Sequence, residues 1–165
     1  MDKNDARINR VDAVKHAFDL GFKRIAVTVA GFQAKAISEI REFEAVVETD
    51  ALIFSICNTC AVDADVKDIA KADIVCASAS KTLRNEIGGK ALLQLGVTIP
   101  VYALTERGKR LVLAYLVEFN EKLVVFRTGK LPYLTEVRGP KLKGDWENRG
   151  CRLILFRMGL GCFFG

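Results

Sequence analysis

The chain has a single histidine, a single tryptophan and three prolines among 165 residues. With only His16 available, there is no Ser–His or Cys–His pair of the kind that nucleophilic catalysis uses. No apolar run approaches the ~18 residues that a membrane-spanning helix needs. The net charge is +5, yet no run of five or six Lys or Arg occurs, and no basic stripe carries interleaved aromatics; this argues against nucleic-acid binding. Neither G-x-G-x-x-G after a strand nor G-x-x-x-x-G-K-[ST] is present, so a dinucleotide fingerprint and a P-loop are both missing. The opening MDKNDARINR is polar and mixed in charge, without the apolar core of a signal peptide. The five cysteines follow no secreted spacing, and a reducing cytoplasm is the expected location.

What is present is a rhythm. Apolar, β-branched runs begin near residues 24, 51, 73, 98 and 122 and are separated by segments with helical spacing. A repeat of roughly 25 residues per strand and helix predicts βα units and a parallel sheet. The runs are continuous rather than alternating, which predicts helices on both faces. The expected fold is α/β: a three-layer, open, mostly parallel five-stranded sheet, Rossmann-like or flavodoxin-like. Its helices are expected at 10–22, 32–48, 61–72, 80–96 and 105–120, the fourth broken at Gly88–Gly89. The domain is expected over residues 1–134, with an irregular C-terminal extension over 135–165 whose apolar end would favour oligomers.

Open parallel sheets bind ligands at the carboxyl ends of their strands. That rule selects Ala30, Gly31 and Gln33, Cys57 to Cys60, Cys76, Ser78, Ser80 and Lys81, Thr105 to Arg107, and Arg127 to Gly129. In CASASKT a strand ends, small residues follow, and a helix begins at Ser80. Ser78, Ser80 and Lys81, with Arg107 as a second charge, are the candidate contacts for a small anionic ligand. In the alternative reading Ser80 is only a helix cap. Cys57-x-x-Cys60 stands between a strand and a helix, where a thiol is acidified. It resembles the thioredoxin motif, with Pro100 in the role of the later proline, although a helix follows where thioredoxins have a hairpin. Cys57, Cys60 and Cys76 are the alternative metal or iron–sulfur ligands. Glu39, Glu42 and Glu44 read as a solvated helix face. Glu106 and Arg107 form an acid–base pair, or simply follow a cap at Thr105. A third reading is an interaction module without chemistry.

The phrases DAVKHAFDLGFKRIAVTVAG and KDIAKADIVCASASKTLRNEIGGKALLQLGVTIPVYALTERGK, with NDARINRV, resemble the methanogenesis marker protein 8 family of methane-producing archaea. The resemblance covers residues 4–109 and continues to GKLPYL at 129–134. It implies an accessory role in methanogenesis, with maturation components of methyl-coenzyme M reductase as partners. It carries over no functional residue and no cofactor. A histidine-containing segment of the family falls near CNTCAV, and here that histidine is absent. Family members are longer at the amino end.

Overall fold

In a computed structural model, residues 9–133 are described. The expected C-terminal extension, 135–165, lies outside them. Asn9 begins the first helix, its side-chain oxygen accepting from the N–H groups of Val11 and Asp12. α1 (Arg10–Asp19) turns at Gly21, whose φ of +91° is a conformation glycine adopts without penalty. β1 (Arg24–Ala30), α2 (Lys35–Val46), β2 (Asp50–Ile56), α3 (Asp63–Ile69) and β3 (Ile74–Cys76) follow. A 3-10 turn, Gly31–Gln33, links β1 to α2. β1, β2 and β3 are consecutive parallel neighbours, with Ala26 beside Leu52, Thr28 beside Phe54, and Phe54 beside Ile74. To this point the expected βα rhythm and the observed structure agree.

Beyond β3 they part. The segment expected as one long helix is α4 (Lys81–Glu86), a 3-10 turn at Gly88–Lys90, and β4 (Leu93–Leu95). β5 (Val101–Ala103) then inserts between β3 and β4, antiparallel to both, giving the order β1-β2-β3-β5-β4. The physical reason is loop length. A parallel return needs a crossover of a dozen or more residues. Residues 96–100 allow only a hairpin, turned at Gly96 with φ +75°. The sheet is therefore mixed, and the expectation of parallel strands holds for its first three. The strand expected near 122 is absent: no helix or strand follows α5 (Glu106–Val117) among the described residues, and Val124 and Val125 are exposed.

Each strand sends alternate residues to opposite faces. One face joins Val29, Ile53, Val75 and Tyr102 to Val14 of α1, Ile37 and Ile40 of α2, Ile69 of α3 and Leu83 of α4 in one core. On the other face a smaller cluster of Ile74, Ala103 and Val112 binds α5 to the β3–β5–β4 side, with Phe54 and Leu93 packed against it. The outward residues of β1 are left bare: Ala26 and Thr28 are exposed, and their neighbours Leu52 and Phe54 are only partly covered. Helical cover on both faces, expected from the continuous apolar runs, is thus incomplete over β1 and β2. Among the described residues no helix is long and apolar enough to cross a membrane.

Candidate functional site

The sheet has two chemically different ends. Where β2 and β3 finish, the backbone leaves the common regions twice. Cys57 has φ +53° and Ser78 has φ +51°. Such conformations cost a non-glycine residue about 1–2 kcal/mol each. Here they are stabilised by Asn58, which is completely buried. Its Nδ2 donates to the Cys76 carbonyl (2.8 Å), its Oδ1 accepts from the Ser55 hydroxyl (3.0 Å), and its backbone N–H donates to Ser78 Oγ (3.3 Å). A Cβ on Gly31 would come within 2.5 Å of Asn58 Oδ1, so glycine is required there. The turn at Cys57 therefore sends Asn58 inward and latches the ends of β1, β2 and β3 together, while Cys57 itself faces outward and is exposed.

Next to this latch stands the CASASKT segment. Ser80 Oγ accepts from Leu83 N–H (3.3 Å) and caps α4. Lys81 is exposed beside it. One turn on, Arg84 donates from Nη2 to the Ser78 carbonyl (3.1 Å), while its Nε has no protein partner. Tyr102 is fully buried beneath α4, and its hydroxyl also lacks a protein partner. Burial raises the phenol's pKa, and the charge of Arg84 opposes the rise in part. Arg84 Nε and the Tyr102 hydroxyl are thus two buried donors without a protein partner, and the Arg84 charge acts on the phenol. On the β1 side, Gln33 lines a groove of about 440 Å³ together with Asn9, Val11, Lys35 and Glu39.

Among the described residues the cysteines are not gathered into a ligand set. Cys57 and Cys76 are free thiols, so no disulfide joins Cys57 to Cys60. Cys76 Sγ lies 3.8 Å from Ser78 Oγ. Cys60 falls in the turn that Ala61 N–H closes onto the Asn58 carbonyl (3.1 Å). Among the described residues no three of His, Cys, Asp and Glu are placed to hold a metal ion. The left-handed turn at Cys57 places Asn58, not a second thiol, between the ends of β2 and β3.

Arg107 is at the other end of the sheet. Because β5 runs backwards, its carboxyl end meets the starts of β2 and β3. There Asp73, with no exposed side-chain surface, accepts from Arg107 Nε (2.6 Å), Arg41 Nη2 (2.7 Å), Thr105 Oγ1 (2.6 Å) and Ile53 N–H (2.7 Å). Glu44 accepts from Arg41 (2.6 Å), Arg107 (2.9 Å) and Ala51 N–H (2.9 Å), and Asp50 also receives Arg107. Burial alone would raise both carboxyl pKa values. For Asp73 the bonds from Thr105, Arg107, Ile53 N–H and Arg41 outweigh it, and for Glu44 those from Arg107, Ala51 N–H and Arg41 do so, leaving both below their ordinary range. Arg107 is held firmly protonated by Glu44 and Asp73. Glu44, expected on a solvated face, is part of this network. Thr105 accepts from Gly108 N–H (3.1 Å) and caps α5. Arg107 is therefore not a partner of Ser78, Ser80 and Lys81; Arg84 occupies that place. Sequence reasoning passed over Asp73, although an acid directly before the apolar IVCA must be paired once buried. Lys81 and Arg84, three apart on one helix, carried the signal for the second cation.

A mixed α/β domain whose sheet carries a strained, latched edge is the class these features define. Within it, the chain belongs to the DUF2099 family, described as uncharacterized proteins conserved in archaea, whose model matches residues 1–116. It is also 34% identical over 138 residues to the "Uncharacterized protein MJ0054" of Methanocaldococcus jannaschii; the match covers 82% of this chain and 46% of that protein. The chain thus spans about half the length of the curated relative it matches. No solved structure matches it.

Proposed function

We propose that the protein binds a small anionic ligand at the carboxyl edge of β1–β3, through Ser78, Lys81 and Arg84, as an accessory protein of methanogenesis. Ser80 supports the site as the cap that starts α4. The single observation that carries this reading is Arg84: held on the carbonyl of the strained Ser78, it keeps Nε without a protein acceptor, beside the equally unpartnered Tyr102 hydroxyl. Strain of this kind clusters where ligands are gripped. The consecutive parallel strands support a half-Rossmann-like reading of that side of the sheet. The resemblance to methanogenesis marker protein 8, with a relative in Methanocaldococcus jannaschii, supports the accessory role. Maturation components of methyl-coenzyme M reductase are the proposed partners on the same resemblance.

Inorganic phosphate is the first probe. It is expected to raise the melting temperature, with stabilisation approaching about 2.7 kcal/mol at a hundredfold excess over Kd. Lys81→Ala, at an exposed position, should abolish most of that shift without lowering the basal melting temperature. No shift with phosphate, nucleotides or carboxylates in the unaltered chain would refute the reading. A thiol function is the second reading, favoured by the exposed Cys57 on its left-handed turn. It requires Cys57 to alkylate faster at neutral pH than an ordinary thiol with a pKa of about 8.5.

A further inference from the structure

We infer that the half of the sheet that no described helix covers, the outward face of β1 and β2 with the edge of β1 that pairs with no described strand, is the docking surface for a second polypeptide module: the part of the family chain that lies outside the stretch matched here. α5 covers only the β3–β5–β4 side of that face. What remains is a strip of Ala26, Thr28, Leu52, Phe54 and Ile56 in register across two strands. Ala26, Thr28 and Ile56 are exposed, and Leu52 and Phe54 are half-covered. The charges of the strip are Arg24 and Asp50, side by side at the starts of β1 and β2.

The edge itself has none of the devices that keep edge strands solitary. Such strands are normally short, broken by proline or a bulge, or guarded by inward charges. β1 is seven residues long, RIAVTVA, with no proline, no glycine and no lysine, and it pairs with β2 along its whole length. Its other side presents a row of N–H and C=O groups to whatever lies beyond. Long, regular and apolar, it is a template for a further strand, and the adjoining strip is a seat for the layer that strand would bring.

The occupant follows from the size of the relative. More than half of the Methanocaldococcus protein lies outside its match to this chain. A chain of that length has the material to extend the sheet beyond β1 and to cover its open face. The fitting partner is accordingly a module with an apolar face and an unpaired strand of its own. A second copy of this chain is the competing occupant, and the test separates the two.

The full 165-residue chain is mixed with the unmatched segment of the Methanocaldococcus relative, made as a separate polypeptide. Light scattering after size exclusion is expected to give a one-to-one complex, and hydrogen exchange at the β1 amides should slow at least tenfold on mixing. Thr28→Lys and Ala26→Asp alter exposed positions and should weaken the complex at least tenfold, whereas Lys81→Ala should leave it unchanged. A concentration-dependent homodimer lost on Thr28→Lys would overturn the proposal in favour of a second copy. The absence of any complex would count against it, unless the isolated segment is unfolded by circular dichroism. In that case cysteines placed in the intact relative at the residues aligned with Ala26 and Thr28 decide. Alkylation there at least tenfold slower than at the same positions of this chain sustains the proposal, and equal rates overturn it.

Discussion

At Asp73 a full negative charge sits where no water reaches its side chain. Desolvation of a carboxylate costs several kcal/mol, and two arginines, a hydroxyl and a backbone N–H offset that cost. Asp73→Asn keeps the shape and removes the charge, leaving Arg41 and Arg107 facing each other without it. Urea unfolding should report a loss of about 3–5 kcal/mol. The same cluster dictates its neighbour Gly108, where a Cβ would stand 2.5 Å from the Asp73 carbonyl oxygen, a backbone atom that cannot swing away. Gly108→Ala should therefore destabilise by about 1–3 kcal/mol, although alanine is the better helix former. Neither cost could be foreseen from residue type alone. TERGK reads as an ordinary capped helix start, and only the direction of β5 brings it against Asp73. Asn58 was legible as a strand-end residue, but its burial depends on the left-handed turn at Cys57, for which a cysteine gives no warning.

At the level of elements, the first three strands were written plainly in the chain, since each is a β-branched run followed by a helix long enough to cross back. The hairpin β4–β5 was not. LLQLG continues the apolar spacing of the preceding segment, and three residues of strand carry too little period to compete with a helix of seventeen. The deciding signal is Gly96, which turns the chain with φ +75° and whose Cβ would stand 3.2 Å from the Ile99 carbonyl oxygen. Gly96→Val is expected to cost at least about 1–2 kcal/mol in urea unfolding, because a β-branched residue is poorly suited to that conformation. A helical reading of 80–96 would instead have the same substitution stabilise the protein, so the sign of the change separates the two.

For the molecule as a whole, the Asp73 cluster joins the layers. Arg41 reaches it from α2 on one face, and Arg107 from α5 on the other, so one carboxylate ties both helices to the start of β3. Its pH dependence follows from the sign of the shifts. Asp73 and Glu44 are lowered from ordinary values of 3.8 and 4.5. Their contribution is complete above those values and is lost as pH falls through the lowered ones. Thermal unfolding followed from pH 7 to pH 2 should therefore show the melting temperature falling below about pH 4.5. In Asp73→Asn that fall should be shallower.

The reversal of β5 has one more consequence. It sends Thr105 and Arg107 to the end of the sheet where the parallel strands begin, while Ser78, Lys81 and Arg84 stay where they finish. Seven-residue strands put the two ends on the order of 20 Å apart at ~3.3 Å per residue. Sites so separated, with no shared partner, combine additively to within about 0.5 kcal/mol. Substitutions at Ser78, Lys81 or Arg84 should therefore leave the contribution of the Asp73 cluster unchanged, because the residues that hold the layers together are at the opposite end of the sheet.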